Sequence, residues 1–80
     1  MKIFLGGLNY STSEAFLLSE LSKFGKVLSI RIIVNYQTGK SKGYGFVTFE
    51  NQEDAQKAID ELNNTYFDGR RIGVKEAIER

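Results

Sequence analysis

Hydrophobic and polar residues alternate along several short segments of the chain, as expected for β-strands whose side chains point to opposite faces in turn. In "KIFLG", Ile3 and Leu5 fall on one side of the backbone, whereas Lys2 and Phe4 fall on the other. Other segments show the same alternation or are rich in β-branched residues. The segments predicted to be strands are 2–6, 26–34, 42–49 and 70–76.

Two further segments carry apolar residues at helical spacing. In "STSEAFLLSELSKFG", Ser11 followed by Glu14 fits a capping box at the start, and Gly25 fits a stop at the end. The apolar face of this predicted helix consists of Leu17, Leu21 and Phe24.

The second predicted helix lies in "NQEDAQKAIDELNN", where Asn51 is the expected N-cap and acidic residues follow in the first turn. Its apolar face consists of Ala55, Ala58, Ile59 and Leu62. The segment "TYFDGR" then carries an Asp-Gly turn signal before the last strand. The element order is βαββαβ, which predicts an α+β ferredoxin-like sandwich: a four-stranded antiparallel sheet with two helices on one face.

The strand residues divide into two sets by phase, and only one set can face the helices. One set has no charged or polar side chain and consists of Ile3, Leu5, Ile30, Ile32, Gly45, Val47, Phe49, Ile72 and Val74. The other contains three cations and consists of Lys2, Phe4, Ser29, Arg31, Ile33, Tyr44, Phe46, Thr48, Gly73 and Lys75. Because burying unpaired cations is costly, the first set is predicted to form the core. Gly45 is expected to leave room there for helix side chains.

The second set leaves three aromatic rings, Phe4, Tyr44 and Phe46, together on the uncovered face of the sheet. A single exposed ring needs no explanation, but a cluster of rings beside cations is typical of a binding site. Nucleobases stack on aromatic side chains and their phosphates attract lysine and arginine, so an unpaired nucleic-acid strand is the expected ligand.

Composition narrows the chemistry further. The 80 residues include no cysteine and no histidine, which removes the usual zinc ligands and the Ser-His and Cys-His nucleophile pairs. The net charge is only +1, but acidic residues concentrate in the predicted helices and basic residues in the strands and loops. Carboxylates and lysines remain, so composition alone leaves catalysis open. We expect no enzymatic activity, no cofactor and no metal, and the apolar runs are too short to span a membrane.

The segment "KGYGFVTF" resembles the octapeptide of the RNA recognition motif family, K/R-G-F/Y-G/A-F-V-x-F/Y, at every position. "IFLGGL" is similar to the family's second, shorter motif on the first strand, with Gly7 where asparagine is common. "SKFGKV", "TGKSKG" and "DGRRIGV" also lie at family-like positions. The resemblance implies that residues 1–80 form a single RNA recognition motif domain, similar to the single-motif RNA-binding proteins.

The resemblance also implies roles for individual residues. Phe4 and Tyr44 would stack on bases, Phe46 would insert between sugars or against a base, and Lys42 would contact phosphate. The tail residues Ala77, Ile78 and Arg80, and Tyr36 in the basic loop, are weaker candidates. The residues predicted to bind RNA are Phe4, Tyr44, Phe46, Lys2, Lys42, Arg31, Ile33, Lys75, Thr48 and Arg80.

The expected function is single-stranded RNA binding by a monomer, in post-transcriptional regulation or RNA chaperoning. Single-stranded DNA is an alternative ligand, because stacking does not read the sugar. A protein-interaction variant of the motif, binding a peptide on its helix face, is an alternative function. An acylphosphatase-type enzyme of similar topology would need an arginine in "GGLNYST", which has none. The expected location is intracellular: cytoplasmic in a bacterium, nuclear or cytoplasmic in a eukaryote.

Overall fold

The computed structural model describes residues 1–77 of the chain. The predicted βαββαβ order is confirmed, with one short extra strand before the last. Arg80 and Ile78, two of the tail residues predicted to touch RNA, lie outside the described residues. The elements are β1 (Lys2–Gly6), α1 (Glu14–Leu21), β2 (Val27–Val34), β3 (Ser41–Phe49), α2 (Gln52–Leu62), β4 (Thr65–Phe67) and β5 (Arg70–Glu76).

The strands form one antiparallel sheet in the order β2-β3-β1-β5-β4, so that β1 and β3 are neighbours in its interior. The register pairs Phe4 with Phe46 on β3 and with Lys75 on β5. Arg31 on β2 lies opposite Phe46 on its other side. Because paired residues point to the same face, this register gathers rings and cations from four strands on one surface.

The extra strand β4 forms a hairpin with β5, in which Phe67 pairs with Arg70 across a two-residue turn. The turn residues Asp68 and Gly69 have φ of 50° and 84°, as a type I′ turn requires at both positions. The predicted Asp-Gly turn is therefore present. The three residues of β4 are too few to show an alternating pattern, and the predicted sheet had four strands where the structure has five.

The N-cap of helix α1 is Ser13, two residues later than the capping box at Ser11 had predicted. The Ser13 hydroxyl accepts a hydrogen bond from the Phe16 backbone N–H at 3.0 Å. The Ser11 N–H instead donates to Asn9, and the Glu14 carboxylate accepts from the backbone N–H of Ile32 on β2 at 2.9 Å. The predicted capping box is therefore wrong, because Glu14 satisfies a strand N–H rather than the start of its own helix.

The end of α1 also differs from the prediction. The helix ends at Leu21 with Ser22 as its C-cap, and Phe24 lies in the following turn, where it packs against the core. Gly25 does not have the positive φ of a glycine helix stop; an added Cβ there would overlap the Asp54 carboxylate on α2. Gly25 therefore allows a close approach to α2 rather than terminating α1.

Helix α2 begins after Asn51, as predicted, although the Asn51 side chain donates to Asp54 rather than capping the backbone. At its other end, the C-cap Asn63 accepts a hydrogen bond from the Val74 N–H on β5 at 2.9 Å. The helices span 8 and 11 residues, so within the described residues no helix has the length and hydrophobicity that a membrane crossing requires.

The helices and one face of the sheet enclose a single hydrophobic core. The predicted core face of the strands is buried, except that Ile30 is only half-buried. Leu8, in the loop after β1, and Phe67 on β4 join the core, which the alternation pattern had not predicted. The buried core residues are Ile3, Leu5, Leu8, Leu17, Leu21, Ile32, Val47, Phe49, Ala55, Ala58, Phe67, Ile72 and Val74.

Gly45 on β3 is buried for a different reason from the one predicted. A Cβ at this position would lie 2.6 Å from the carbonyl oxygen of Arg31 and 3.3 Å from the Cα of Ile32. These atoms belong to the backbone of β2, not to helix side chains. Glycine therefore lets β2 approach β3 closely beside the irregularity in their register between Ile32 and Val34.

Candidate nucleic-acid interface

The face of the sheet opposite the helices carries Phe4 from β1 and Tyr44 and Phe46 from β3. Their neighbours in sequence, such as Leu5, Gly45 and Val47, point into the core, so strand alternation fixes the rings on this face. Each ring is half-buried rather than fully exposed. Two adjacent interior strands thus present three aromatic side chains to one surface.

The three rings form one contiguous cluster. The ring centroids of Phe4 and Phe46 are 5.5 Å apart with an interplanar angle of 61°, an edge-to-face contact. Those of Phe4 and Tyr44 are 5.8 Å apart and tilted by 36°. Both separations lie in the range that stabilises aromatic pairs. Phe4 therefore contacts both other rings and joins them into one cluster.

Two lysines lie over this cluster. The Lys2 Nζ is 5.5 Å from the centroid of Phe46, and the Lys75 Nζ is 5.6 Å from that of Phe4. Both distances fit cation–π contacts. Arg31, exposed on β2, is the register partner of Phe46. Positive charge thus lies directly beside the rings, where it can meet a phosphate.

A shallow groove runs along the β2 side of the cluster. Ile33 and Thr48, both half-buried, contribute to it alongside the Lys2 and Arg31 cations. Apolar and hydroxyl groups beside cations suit the sugar and phosphate of a nucleotide. The groove is lined by Lys2, Ser29, Ile30, Arg31, Ile33, Phe46 and Thr48.

A second groove lies at the other end of β3 and contains a residue pair that the sequence reasoning missed. Tyr10, in the loop after β1, is 64% exposed, and the Arg70 guanidinium carbon lies 5.5 Å from its ring centroid. The ring packs over Gly43, where a Cβ would lie 3.0 Å from the Tyr10 Cε1 and where φ is +83°. Lys42, exposed, and Tyr44 line the same groove. The tyrosine in "GGLNYST" was the available sequence signal, but only the fold shows it beside Tyr44.

The weaker candidates are less closely connected to the cluster. Tyr36 is 87% exposed, at the tip of the loop between β2 and β3, and has no ring partner among the described residues. Ala77 continues the alignment of β5 with β1, since its N–H donates to the Lys2 carbonyl at 2.9 Å. The structure brings nine of the ten predicted site residues to the sheet face or its edge, and Arg80 lies outside the described residues.

Acidic residues lie mainly away from this face. Glu53 and Asp54 occupy the first turn of α2, and Asp60 and Glu61 its later turns. Ion pairs join Lys23 to Glu20 at 3.0 Å and Lys26 to Glu50 at 3.5 Å, outside the aromatic cluster. A chain of nearly zero net charge therefore has a basic sheet face and an acidic α2 surface.

Comparisons with known proteins agree with this geometry. Glycine-rich RNA-binding protein 10 of Brassica napus is 44% identical over 79 residues, covering 99% of this chain and 47% of that protein. The crystal structure of RNA Binding Protein PG1 superposes with a TM-score of 0.95 at 46% identity, covering 100% of this chain and 96% of that one. The Rna15 RRM, solved with bound RNA, has a TM-score of 0.87 at 28% identity, covering 98% and 83%.

The chain spans half or less of the length of the curated relatives that it matches. A family model for the RNA recognition motif matches residues 3–73, from the second residue of β1 to the middle of β5. The octapeptide in β3, the ring cluster and the fold all agree with that match. The chain belongs to the RNA recognition motif family.

Proposed function

We propose that residues 1–80 act as one RNA recognition motif domain that binds single-stranded RNA on the helix-free face of the sheet. The observation that carries this proposal is the contact between Phe4, Tyr44 and Phe46, with Lys2 and Lys75 over two of the rings. Rings that pack on each other but not on the core have one side available for a ligand that stacks.

The geometry suits an unpaired strand rather than a duplex. A base can lie flat on a ring only if its own stacking partners have separated, which is inexpensive in a single strand. The rings at Phe4, Tyr44 and Phe46 would receive bases, and Arg31, Lys42 and the two ring-bound lysines would receive phosphates. The residues proposed to bind RNA are Phe4, Tyr44, Phe46, Lys2, Lys42, Arg31, Ile33, Lys75, Thr48 and Arg80, together with Tyr10 and Arg70.

The name of one related protein and the RNA bound in the structure of another support this proposal. Glycine-rich RNA-binding protein 10 is named for RNA binding, and the Rna15 RRM was solved with RNA bound. Two or three base stacks contribute roughly 2–9 kcal/mol before the strand is ordered. We expect an affinity of about 1 µM for a short single strand, weakening as salt rises.

The proposed role is binding without catalysis, by a monomer inside the cell, in post-transcriptional regulation or RNA chaperoning. Single-stranded DNA offers the same bases and phosphates, so discrimination requires contacts to the 2′-hydroxyl. Such contacts would come from groups beside the ring cluster, such as the half-buried Thr48 and the exposed Arg31. Competition of a DNA strand against the RNA of the same sequence measures this preference.

The central test compares two phenylalanines of β3 that point to opposite faces. Wild type, Phe46→Ala and Phe49→Ala are titrated with a randomised eight-nucleotide RNA, and their thermal unfolding is recorded. Phe46→Ala should weaken binding about fivefold or more, since one stack is worth about 1–3 kcal/mol. Phe49 is 1% exposed in the core, so Phe49→Ala should lower the free energy of unfolding by about 3–5 kcal/mol.

The outcomes separate the alternatives. If Phe46→Ala unfolds the domain while Phe49→Ala does not, the assignment of the two faces is reversed. If wild type binds neither RNA nor single-stranded DNA, the proposal fails and a peptide partner on the helix face becomes the leading alternative.

A further inference from the structure

The two outer strands of the sheet differ in how much edge they offer to another chain. β4 forms one edge with only three residues, whereas β2 forms the other with eight. An outer strand is a template on which a further extended chain can add, and proteins that stay monomeric block such edges. The short β4 offers little to pair with, so β2 is the edge that needs protection.

Irregular pairing shortens the usable edge of β2. Its register with β3 shifts between Val27 and Ser29 and again between Ile32 and Val34. Such irregularities interrupt the even spacing that an added strand would need. A regular stretch, residues 29–32, remains between the two shifts. Strand addition at β2 is therefore limited to this stretch.

Within the regular stretch, Ile30 and Ile32 direct their backbone groups away from β3. The Ile32 N–H donates to the Glu14 carboxylate on α1 at 2.9 Å, so it points outward. Because outward and inward groups alternate along an antiparallel strand, those of Ile30 also point outward. Leu28, at the start of β2, is an apolar side chain that is 57% exposed. The edge thus has the backbone groups and the apolar surface that strand addition uses.

Glu14 occupies a position that an added strand would need. Its Oε2 accepts the Ile32 N–H, which would otherwise donate to a carbonyl oxygen of the added strand. Glu14 lies in the first turn of α1, but the Phe16 N–H already donates to the N-cap Ser13. The Glu14 side chain therefore serves β2 rather than the start of its own helix.

Arg31, exposed in the same stretch, opposes strand addition by charge. A second copy of the chain could pair its own β2 in antiparallel fashion, with Ile30 of each copy opposite Ile32 of the other. In this register the two Arg31 side chains lie directly opposite each other, and like charges at such a position destabilise the pair. Glu14 thus obstructs the backbone of the edge, and Arg31 obstructs its side chains.

We propose that Glu14 is an edge block, which prevents a second copy of the chain from pairing with β2. The second copy is the relevant occupant because it carries the same edge, so that each contact of the pairing is repeated by two-fold symmetry. The edge block goes beyond the proposed RNA binding and does not depend on it. It would keep the domain in the proposed monomeric state although β2 is eight residues long.

Two substitutions separate the reach of the Glu14 side chain from its charge. Glu14→Asp keeps a carboxylate in the first turn of α1, which favours the helix, but is one methylene shorter than the bond to Ile32 requires. Glu14→Gln loses the charge but keeps an oxygen acceptor at the same reach. Glu20→Asp makes the same change as the first variant at a later position of α1 and is the matched control.

Sedimentation equilibrium, from micromolar to millimolar protein, measures the self-association of each variant. Glu14→Asp should associate about tenfold or more strongly than wild type, because a hydrogen bond to a charged group no longer competes with the added strand. Glu14→Gln and Glu20→Asp should behave like wild type. Since the two Arg31 side chains repel each other, the association of Glu14→Asp should strengthen as salt rises.

Nuclear magnetic resonance identifies the surface that associates. In ¹⁵N-labelled Glu14→Asp, the amide signals of Ile30 and Ile32 should shift with protein concentration, whereas those of β4 should stay fixed. If Glu14→Asp is as monomeric as wild type at every salt concentration, if Glu20→Asp associates equally, or if the signals of β4 shift instead, the edge block is wrong.

The edge block is also wrong if the association of Glu14→Asp weakens with salt. That result would indicate contact between the basic sheet face of one copy and the acidic α2 of another. RNA titration is independent of these outcomes: a failure of wild type to bind RNA would overturn the proposed function and leave the edge block intact.

Discussion

At the scale of single residues, the side chains on the two faces of one strand have different roles. In β3, Val47 and Phe49 are buried, while Tyr44 and Phe46 lie half-buried among rings and cations on the other face. The sequence was sufficient to predict this division, because period-two alternation leaves only two ways to orient the strand and cations exclude one of them.

Gly45 and Gly73 should respond oppositely to the same substitution. Gly45→Ala places a Cβ 2.6 Å from the Arg31 carbonyl oxygen, which forces β2 and β3 apart. We expect it to lower the free energy of unfolding by about 1–3 kcal/mol. At Gly73, on β5, an added Cβ would meet only the Asn63 Oδ1, at 3.9 Å, among the described residues. Gly73→Ala should therefore leave the free energy of unfolding unchanged or raise it by up to about 1 kcal/mol, since alanine is the better strand residue.

Equilibrium urea denaturation of the two variants checks this prediction. Equal losses of stability in both would mean that β5, like β3, has no room for a Cβ.

At the scale of elements, strands were predicted more accurately than helix ends. β1 and β5 have the predicted bounds, and β2 and β3 differ by one residue at their starts. The start of α1 was misplaced because residues 11–13 are all hydroxyl residues and each is a plausible N-cap. The choice depends on the local bond between Ser11 and Asn9 and on the long-range bond between Ile32 and Glu14.

The N-cap of α1 can be tested with two serines. Ser13→Ala removes the acceptor for the Phe16 N–H and should cost about 0.5–2 kcal/mol of stability. Ser11→Ala removes an exposed hydroxyl that donates to Asn9 and should change stability by no more than about 0.5 kcal/mol. Thermal or urea unfolding measures both, and a larger loss at Ser11 would restore the predicted capping box.

The part of the site that the sequence did not predict comes from loop positions. Tyr10 and Arg70 come from a loop and a strand end that are 60 residues apart in the chain. No periodicity connects them, and they meet only because the β4–β5 hairpin lies beside the loop after β1. Hydrogen bonds from Asn9 to the Asp68 carbonyl and from Thr12 to the Asp68 carboxylate hold these two segments together.

At the scale of the whole molecule, charge distribution matters more than net charge. A net charge of +1 would not by itself attract nucleic acid strongly. Its cations, however, gather on the sheet face, whereas the acids of α2 lie on the helix side. Binding should therefore depend on local cations, each of which releases counterions from the strand when it contacts a phosphate.

The concentration of cations on the sheet face predicts a specific salt dependence of RNA binding. The logarithm of the association constant should fall linearly with the logarithm of salt concentration, and Lys42→Gln should reduce the slope by about 0.7 for one lost phosphate contact. Lys57→Gln, on exposed α2, should leave the slope unchanged. Titrations at several salt concentrations measure both slopes. Equal reductions in the two variants would show that RNA binding depends on the total charge of the protein rather than on the cations of the sheet face.

The lysines that lie over Phe46 and Phe4 have a consequence for ligand choice. In the free protein each lysine lies over a ring on which a base would stack. A free nucleobase offers no phosphate to a displaced lysine, and a simple polyanion offers nothing to the uncovered ring. A nucleic-acid strand supplies both partners in one event. We therefore expect the pairing of ring and lysine to favour ligands that carry both a base and a phosphate over ligands that carry only one of them.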